Sequence, residues 1–82
     1  IKKNEFTIRI GDYEKYLYFI ESGILRYWTA QEYGDPDKEI TFWFSFPGEF
    51  ANSYFSLKEN QPSLIHIQAL TDCVIWKPNY IL

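Results

Sequence analysis

A chain of 82 residues holds one folded unit at most, and so short a unit needs a dense apolar core. The 46% hydrophobic and 21% aromatic content supplies one, in the residue types that favour pleated strands over helices. A net charge of −3 without a basic run argues against direct nucleic-acid binding, and no apolar run approaches the roughly 20 residues of a membrane span. Cys73 is the only cysteine, so no disulfide framework exists within the chain; it reads as a buried strand residue in a reducing, cytoplasmic setting. The absence of any Met suggests a piece of a longer protein.

In chain order, Phe6, Ile8 and Ile10 alternate with Glu5, Thr7 and Arg9, a period of two that predicts a half-buried strand ending at Gly11-Asp12. Tyr16 to Glu21 predicts a second strand. Ser22-Gly23 is a turn pair, and Ile24 to Trp28 reads as the returning partner of a hairpin. Asp12, Glu14 and Glu21 read as solvated turn and strand-end residues, with Tyr13 and Tyr16 over the first turn. Gln31 to Lys38 is polar and carries Gly34-Asp35-Pro36-Asp37, a loop. Lys38 to Phe46 is the strongest predicted strand, with Ile40, Phe42, Phe44 and Phe46 on one face, and Pro47 ends it.

The period then changes. Phe50, Tyr54 and Leu57 fall at i, i+4 and i+7, which predicts a short helical run after Pro47-Gly48-Glu49. Gly-Glu at a helix start would present free backbone N–H groups beside one carboxylate, able to hold an anion and a hydroxyl together; a capped turn between strands is the plainer reading. Lys58 to Pro62 is a solvated loop. Alternation resumes from Ser63 to Ala69, Thr71-Asp72 is a turn, and Cys73 to Trp76 is a final strand before Pro78, which suits a helix start. About seven short strands at regular spacing, with one helical insertion, predict a mainly β antiparallel sandwich or jelly roll.

The order of these blocks resembles the cyclic-nucleotide-binding domain of the Crp/Fnr superfamily of bacterial transcription regulators. Three stretches carry the resemblance: Gly11-Asp12 with Tyr16-Leu17-Tyr18-Phe19-Ile20 and Gly23, then Pro47-Gly48-Glu49-Phe50, then Ile67-Gln68-Ala69-Leu70-Thr71-Asp72-Cys73. The aromatic-rich wording is most similar to a divergent branch common in Bacteroidetes-type bacteria. The resemblance implies that residues 1–82 form a sensor domain with a double-stranded β-helix jelly-roll fold and a short helical phosphate cassette. It also implies a C-terminal dimerisation helix and a DNA-binding domain outside the chain. The candidate ligand contacts that follow are Gly48, Glu49, Phe50, Ser63 and Leu64, with Glu49 on a ribose hydroxyl and the amides around it on a phosphate.

One departure bears on the ligand. The family's nucleotide binders place an Arg near the end of the cassette, and here Ser63 stands in its place, or Pro62 if the alignment slides by one; no Arg follows Arg26. The resemblance therefore implies effector sensing by a homodimer with a ligand other than standard cAMP: a cyclic nucleotide bound atypically, another small anion, or none. The alternative is a ligand-free structural or interaction domain whose pocket is filled by its own side chains, with Phe50, Leu64 and His66 as the fillers. Enzymatic readings lack a candidate. His66 is the lone histidine, too little for a metal cluster, and the serines show no nucleophile–base–orienter set. Trp28, Trp43 and Trp76 read as core or interface packing.

Overall fold

The computed structural model describes residues 1–30, 34 and 37–77. It contains β1 (Phe6–Ile8), β2 (Tyr18–Ser22), β3 (Leu25–Ala30), β4 (Glu39–Ser45), β5 (Phe50–Ala51), α1 (Tyr54–Glu59), β6 (His66–Ala69) and β7 (Val74–Trp76). The strands form two antiparallel sheets, one in the order β1-β6-β3-β4 and the other β5-β2-β7. This is the mainly β, jelly-roll architecture that the strand spacing predicts. The loop expected around Gly34-Asp35-Pro36-Asp37 and the helix start at Pro78 fall mostly outside the described residues.

The apolar interior lies between the sheets. Ile8, Leu25, Tyr27, Ile67 and Ala69 face it from the larger sheet, Ile20 and Ala51 from the smaller, and Cys73 closes one end. Ile20, Leu25 and Ile67 are completely covered. The alternation read in β6 places Ile67 and Ala69 inward and leaves His66 and Gln68 half-buried outside.

Two expectations are corrected, and one is confirmed with a placement that the strand pattern does not give. First, β2 and β3 are not a hairpin, because they belong to different sheets. Gly23, at φ +88°, sits so close to the Asp72–Cys73 backbone that a Cβ would come within 2.5 Å of the Cys73 sulfur. A side-chain-free corner there lets the chain cross from one sheet to the other instead of turning within a plane. β3 pairs instead with β4 on one side, Arg26 opposite Phe44 and Leu25 opposite Ser45, and with β6 on the other.

Second, the strand predicted over Lys38 to Phe46 is present as β4, and among the described residues it stands at the edge of its sheet. Its apolar residues Ile40, Phe42, Trp43 and Phe44 are all exposed, and only Ser45 is buried. A sequence pattern reports which residues are apolar, but it does not report whether a sheet continues beyond them.

Third, the helix opens at Tyr54 with Ser53 at its N-cap, not at Gly48. Gly48 and Glu49 instead make the turn from β4 to β5, where the Gly48 N–H donates to the Ile20 carbonyl (2.8 Å) and Ile20 N–H to the Glu49 carbonyl (3.0 Å). The helical spacing of Phe50 with Tyr54 is therefore accidental, since Phe50 belongs to β5. The helix ends at Asn60, which adopts the left-handed conformation that an Asn tolerates better than most side chains.

Candidate functional site

The sequence candidates separate in space. Glu49 is exposed, and its carboxylate accepts the Phe46 N–H at 2.6 Å, while its own N–H donates to the Phe46 carbonyl at 3.1 Å. The Gly48 amide is thus engaged on β2 and the Glu49 amide within the turn. Phe50 and Leu64 stand out in solvent, at 61% and 63% exposure, so neither fills a pocket. His66 lies outside the sandwich: its Nδ1 accepts the Ile10 N–H (3.1 Å) and its ring stacks on Trp28 with centroids 4.2 Å apart. Partial burial, then the neighbouring Arg9 charge, lower its pKa, in keeping with a neutral ring that accepts a hydrogen bond. Ser63 alone among the five candidates is buried.

Ser63 belongs to a polar cluster that α1 and its flanks bring together. Its hydroxyl lies 2.9 Å from the Ser53 hydroxyl, donates to the Ile65 carbonyl (2.8 Å) and accepts the Ile65 N–H (3.2 Å). Such local side-chain-to-backbone bonds are what make Ser a turn former, and here they hold the chain as it enters β6. Ser53, Ser56 and Ser63 are all within 2% of full burial.

Against them lies the loop between β1 and β2. Its Glu14 carboxylate accepts the Ser53 N–H at 3.2 Å, and its own N–H donates to the Ser56 hydroxyl at 2.8 Å. Glu14 is only 6% exposed, contrary to its reading as a solvated turn residue. Burial raises its pKa from 4.5 to about 7, offset in part by the Ser53 and Lys15 amides.

A second wall comes from β3 and β4. The Ser45 hydroxyl donates to the Tyr27 hydroxyl at 2.9 Å, both within the sandwich. Burial raises the Tyr27 pKa; the Ser45 bond lowers it, the Glu14 charge raises it, and the Asn52 backbone and Glu49 charge act in the same opposed way. Tyr27 therefore feels both carboxylates. Among the described residues no cation pairs with either: Lys58 is exposed over the Tyr54 ring, 5.9 Å from its centroid, and Arg26 pairs with Glu39 on the outer face. The region is lined with hydroxyls and carries negative charge.

Sequence reasoning missed Glu14, Tyr27 and Ser53. Glu14 sits in a loop with no periodicity, so nothing local marks it as buried. Three serines within and flanking the helical run, at 53, 56 and 63, were the available signal, because buried hydroxyls need partners and tend to find each other. Among the described residues no cluster of His, Cys, Asp and Glu could hold a metal, and no helix is long and apolar enough to cross a membrane.

Comparison with known proteins agrees with this architecture. No curated protein matches the sequence. Among solved structures, the Catabolite Activator Protein of Thermus thermophilus superposes with a TM-score of 0.77 at 22% identity, over 94% of this chain and 34% of that one. The regulatory domain of Toxoplasma gondii PKA with cAMP gives 0.78 at 23%, over 94% and 28%. The cAMP-bound form of the EAL enzyme Bd1971 gives 0.79 at 23%, over 95% and 20%. The chain thus spans between a fifth and about a third of these proteins, and at such identities the likeness is one of fold. The sequence profile of the cyclic nucleotide-binding domain family matches residues 1–79, nearly the whole length, and the chain belongs to that family.

Proposed function

We propose that this chain is the effector-sensing domain of a Crp/Fnr-like bacterial transcription regulator that does not take cAMP in the ordinary way. Family membership supports a regulatory rather than a catalytic role. The protein would be cytoplasmic and dimeric, and it would reach DNA through a domain outside this chain. Effector binding would shift the population between two dimer arrangements, by no more than its differential affinity for them.

The observation that carries the ligand half is the Ser63–Ser53 pair, where the resemblance calls for an Arg on the phosphate. A charge-assisted bond to a buried anion contributes roughly 1.5–3 kcal/mol, or about ten- to over a hundredfold in affinity. Ser63 offers no charge, and Glu14 and Glu49 oppose an anion. Gly48, Glu49 and Phe50 would contact an effector only after the turn released its present hydrogen bonds, and the buried Ser63 hydroxyl only after it released Ser53 and Ile65, while Leu64 is already exposed. Cyclic nucleotides are the first class to test, and weak or absent binding is expected.

Calorimetric titration of the full-length protein with cAMP, with Glu49→Ala as control, tests this. A flat trace from folded protein is the expected result. Saturable micromolar binding that disappears in Glu49→Ala overturns it, because the cassette would then work without its Arg. A second reading, a ligand-free scaffold, is favoured by one observation: among the described residues no buried side-chain polar atom lacks a partner. A thermal-shift screen of neutral, cationic and anionic metabolites separates the two, since a scaffold shifts with none of them.

A further inference from the structure

The loop from Gly11 to Tyr16 is laced to the segment that carries α1. Gly11 N–H donates to the Ser63 carbonyl (2.9 Å), Ser63 N–H to the Asp12 carbonyl (2.7 Å), and the Asn52 amide to the Tyr16 carbonyl (3.3 Å). Glu14 closes the middle of this seam from both its ends, through its N–H on Ser56 and its carboxyl on the Ser53 N–H. It is the one ionisable side chain buried in the seam. We propose that Glu14 is a proton-dependent clasp, closed when neutral and loosened when ionised, that sets how firmly α1 is seated against the β1–β2 loop.

The geometry supplies the reason. An ionised carboxylate taken out of water needs a cation or several donors, and Glu14 has neither in full. Its own loop presents Lys15, whose side chain is exposed, and Asp12, of like charge. Tyr18 of β2 and Tyr27 of β3 face it with phenols, both of whose pKa values its charge helps to raise. Thr7 of β1 shares with it the wall of a shallow depression of about 260 Å³, and the carboxyl's donors are only the Ser53 and Lys15 amides, because the Ser56 hydroxyl accepts the Glu14 N–H and donates to the Gln61 carbonyl. Arg9 and Lys77 are engaged over the Phe6 and Tyr16 rings. Among the described residues no Lys or Arg pairs with Glu14. The depression lies against the buried carboxyl, so opening the seam would let water reach the charge.

The sign follows from linkage. The closed state holds the proton more tightly than an open, hydrated Glu14, with pKa values of about 7 and 4.5. Stability of the seam is therefore complete below pH 4.5 and falls as pH rises, by up to about tenfold in opening equilibrium per pH unit, levelling off above about 7. This does not depend on any effector, and it holds for a sensor or a scaffold alike.

The test uses the full-length protein without added effector. A carboxyl-carbon NMR titration reads the Glu14 midpoint directly, and it is expected near 7. Amide hydrogen exchange, corrected for its intrinsic pH dependence, reads the seam at Ser53 and along α1, with the Ile67 amide in the core as reference. Protection at Ser53 is expected to fall between pH 4.5 and 7 while Ile67 does not follow, and Glu14→Gln is expected to remove the slope. A Glu14 midpoint near 4.5 overturns the proposal. So does a slope that survives in Glu14→Gln, or one shared equally by Ile67, which would report unfolding of the whole domain. None of these readings changes if the cAMP titration is flat.

Discussion

Two glycines with the same backbone angle have different work to do. Gly23 and Gly48 both adopt φ +88°, but a Cβ at Gly23 meets the Asp72 carbonyl and the Cys73 sulfur, while at Gly48 it meets nothing within 4 Å. Gly48→Ala should therefore cost only the backbone strain, roughly 1 kcal/mol, and Gly23→Ala should cost clearly more, about 3 kcal/mol, because the corner between the sheets must also open. Urea denaturation of the two variants side by side measures the difference, and equal losses would mean that the corner yields without resistance. Gly23 was legible as a turn residue from its pairing with Ser22. Its role as a crossing point was not, because the obstacle comes from residues 72 and 73, some fifty positions away.

At the scale of elements, β4 separates hydrophobicity from burial. It carries four large apolar residues, yet among the described residues it is the last strand of its sheet, and Trp43 is 63% exposed. Transfer free energy is gained only by area removed from water, so Trp43→Lys should alter stability by no more than about 0.5 kcal/mol. Chemical denaturation of that variant checks it; a loss of 2 kcal/mol or more would place β4 in a buried environment. The short helix α1 makes the complementary point. Its exposed Tyr54 and Phe55 contribute little to holding it, and it is anchored by Ser56 inside and by the seam with Glu14. The sequence signal of a helix, read over Ala51 to Leu57, overlaps α1 at Tyr54 and Leu57 but begins too early, since Phe50 and Ala51 belong to β5.

At the scale of the molecule, two sheets are held together by a small number of fully covered side chains, chiefly Ile20, Leu25 and Ile67. Each comes from a different strand, so removing one loosens the contact between layers and not within one. Ile67→Ala should cost about 2–5 kcal/mol, a large share of the 5–15 kcal/mol by which small domains are stable. A midpoint shift in urea of that size, with an unchanged slope, is the expected outcome, and a loss below 1 kcal/mol would show that the interior collapses around the gap. The seam at Glu14 and this apolar interior meet at Tyr27, whose ring packs in the core and whose hydroxyl faces Ser45.

What the sequence determined by itself is whatever depends on neighbours along the chain: the alternating strands, the turns at Gly11 and Gly48, the inward face of β6, and the order of blocks that marks the family. The lack of any Arg after Arg26 could also be read there, because it follows from order alone. Tertiary structure decided which sheet each strand joins, which apolar strand stays in water, and which carboxylate is buried. Those outcomes rest on contacts between residues 14 and 53, 23 and 73, or 53 and 63, pairs that no local period links, and burial is a property of what lies opposite in space.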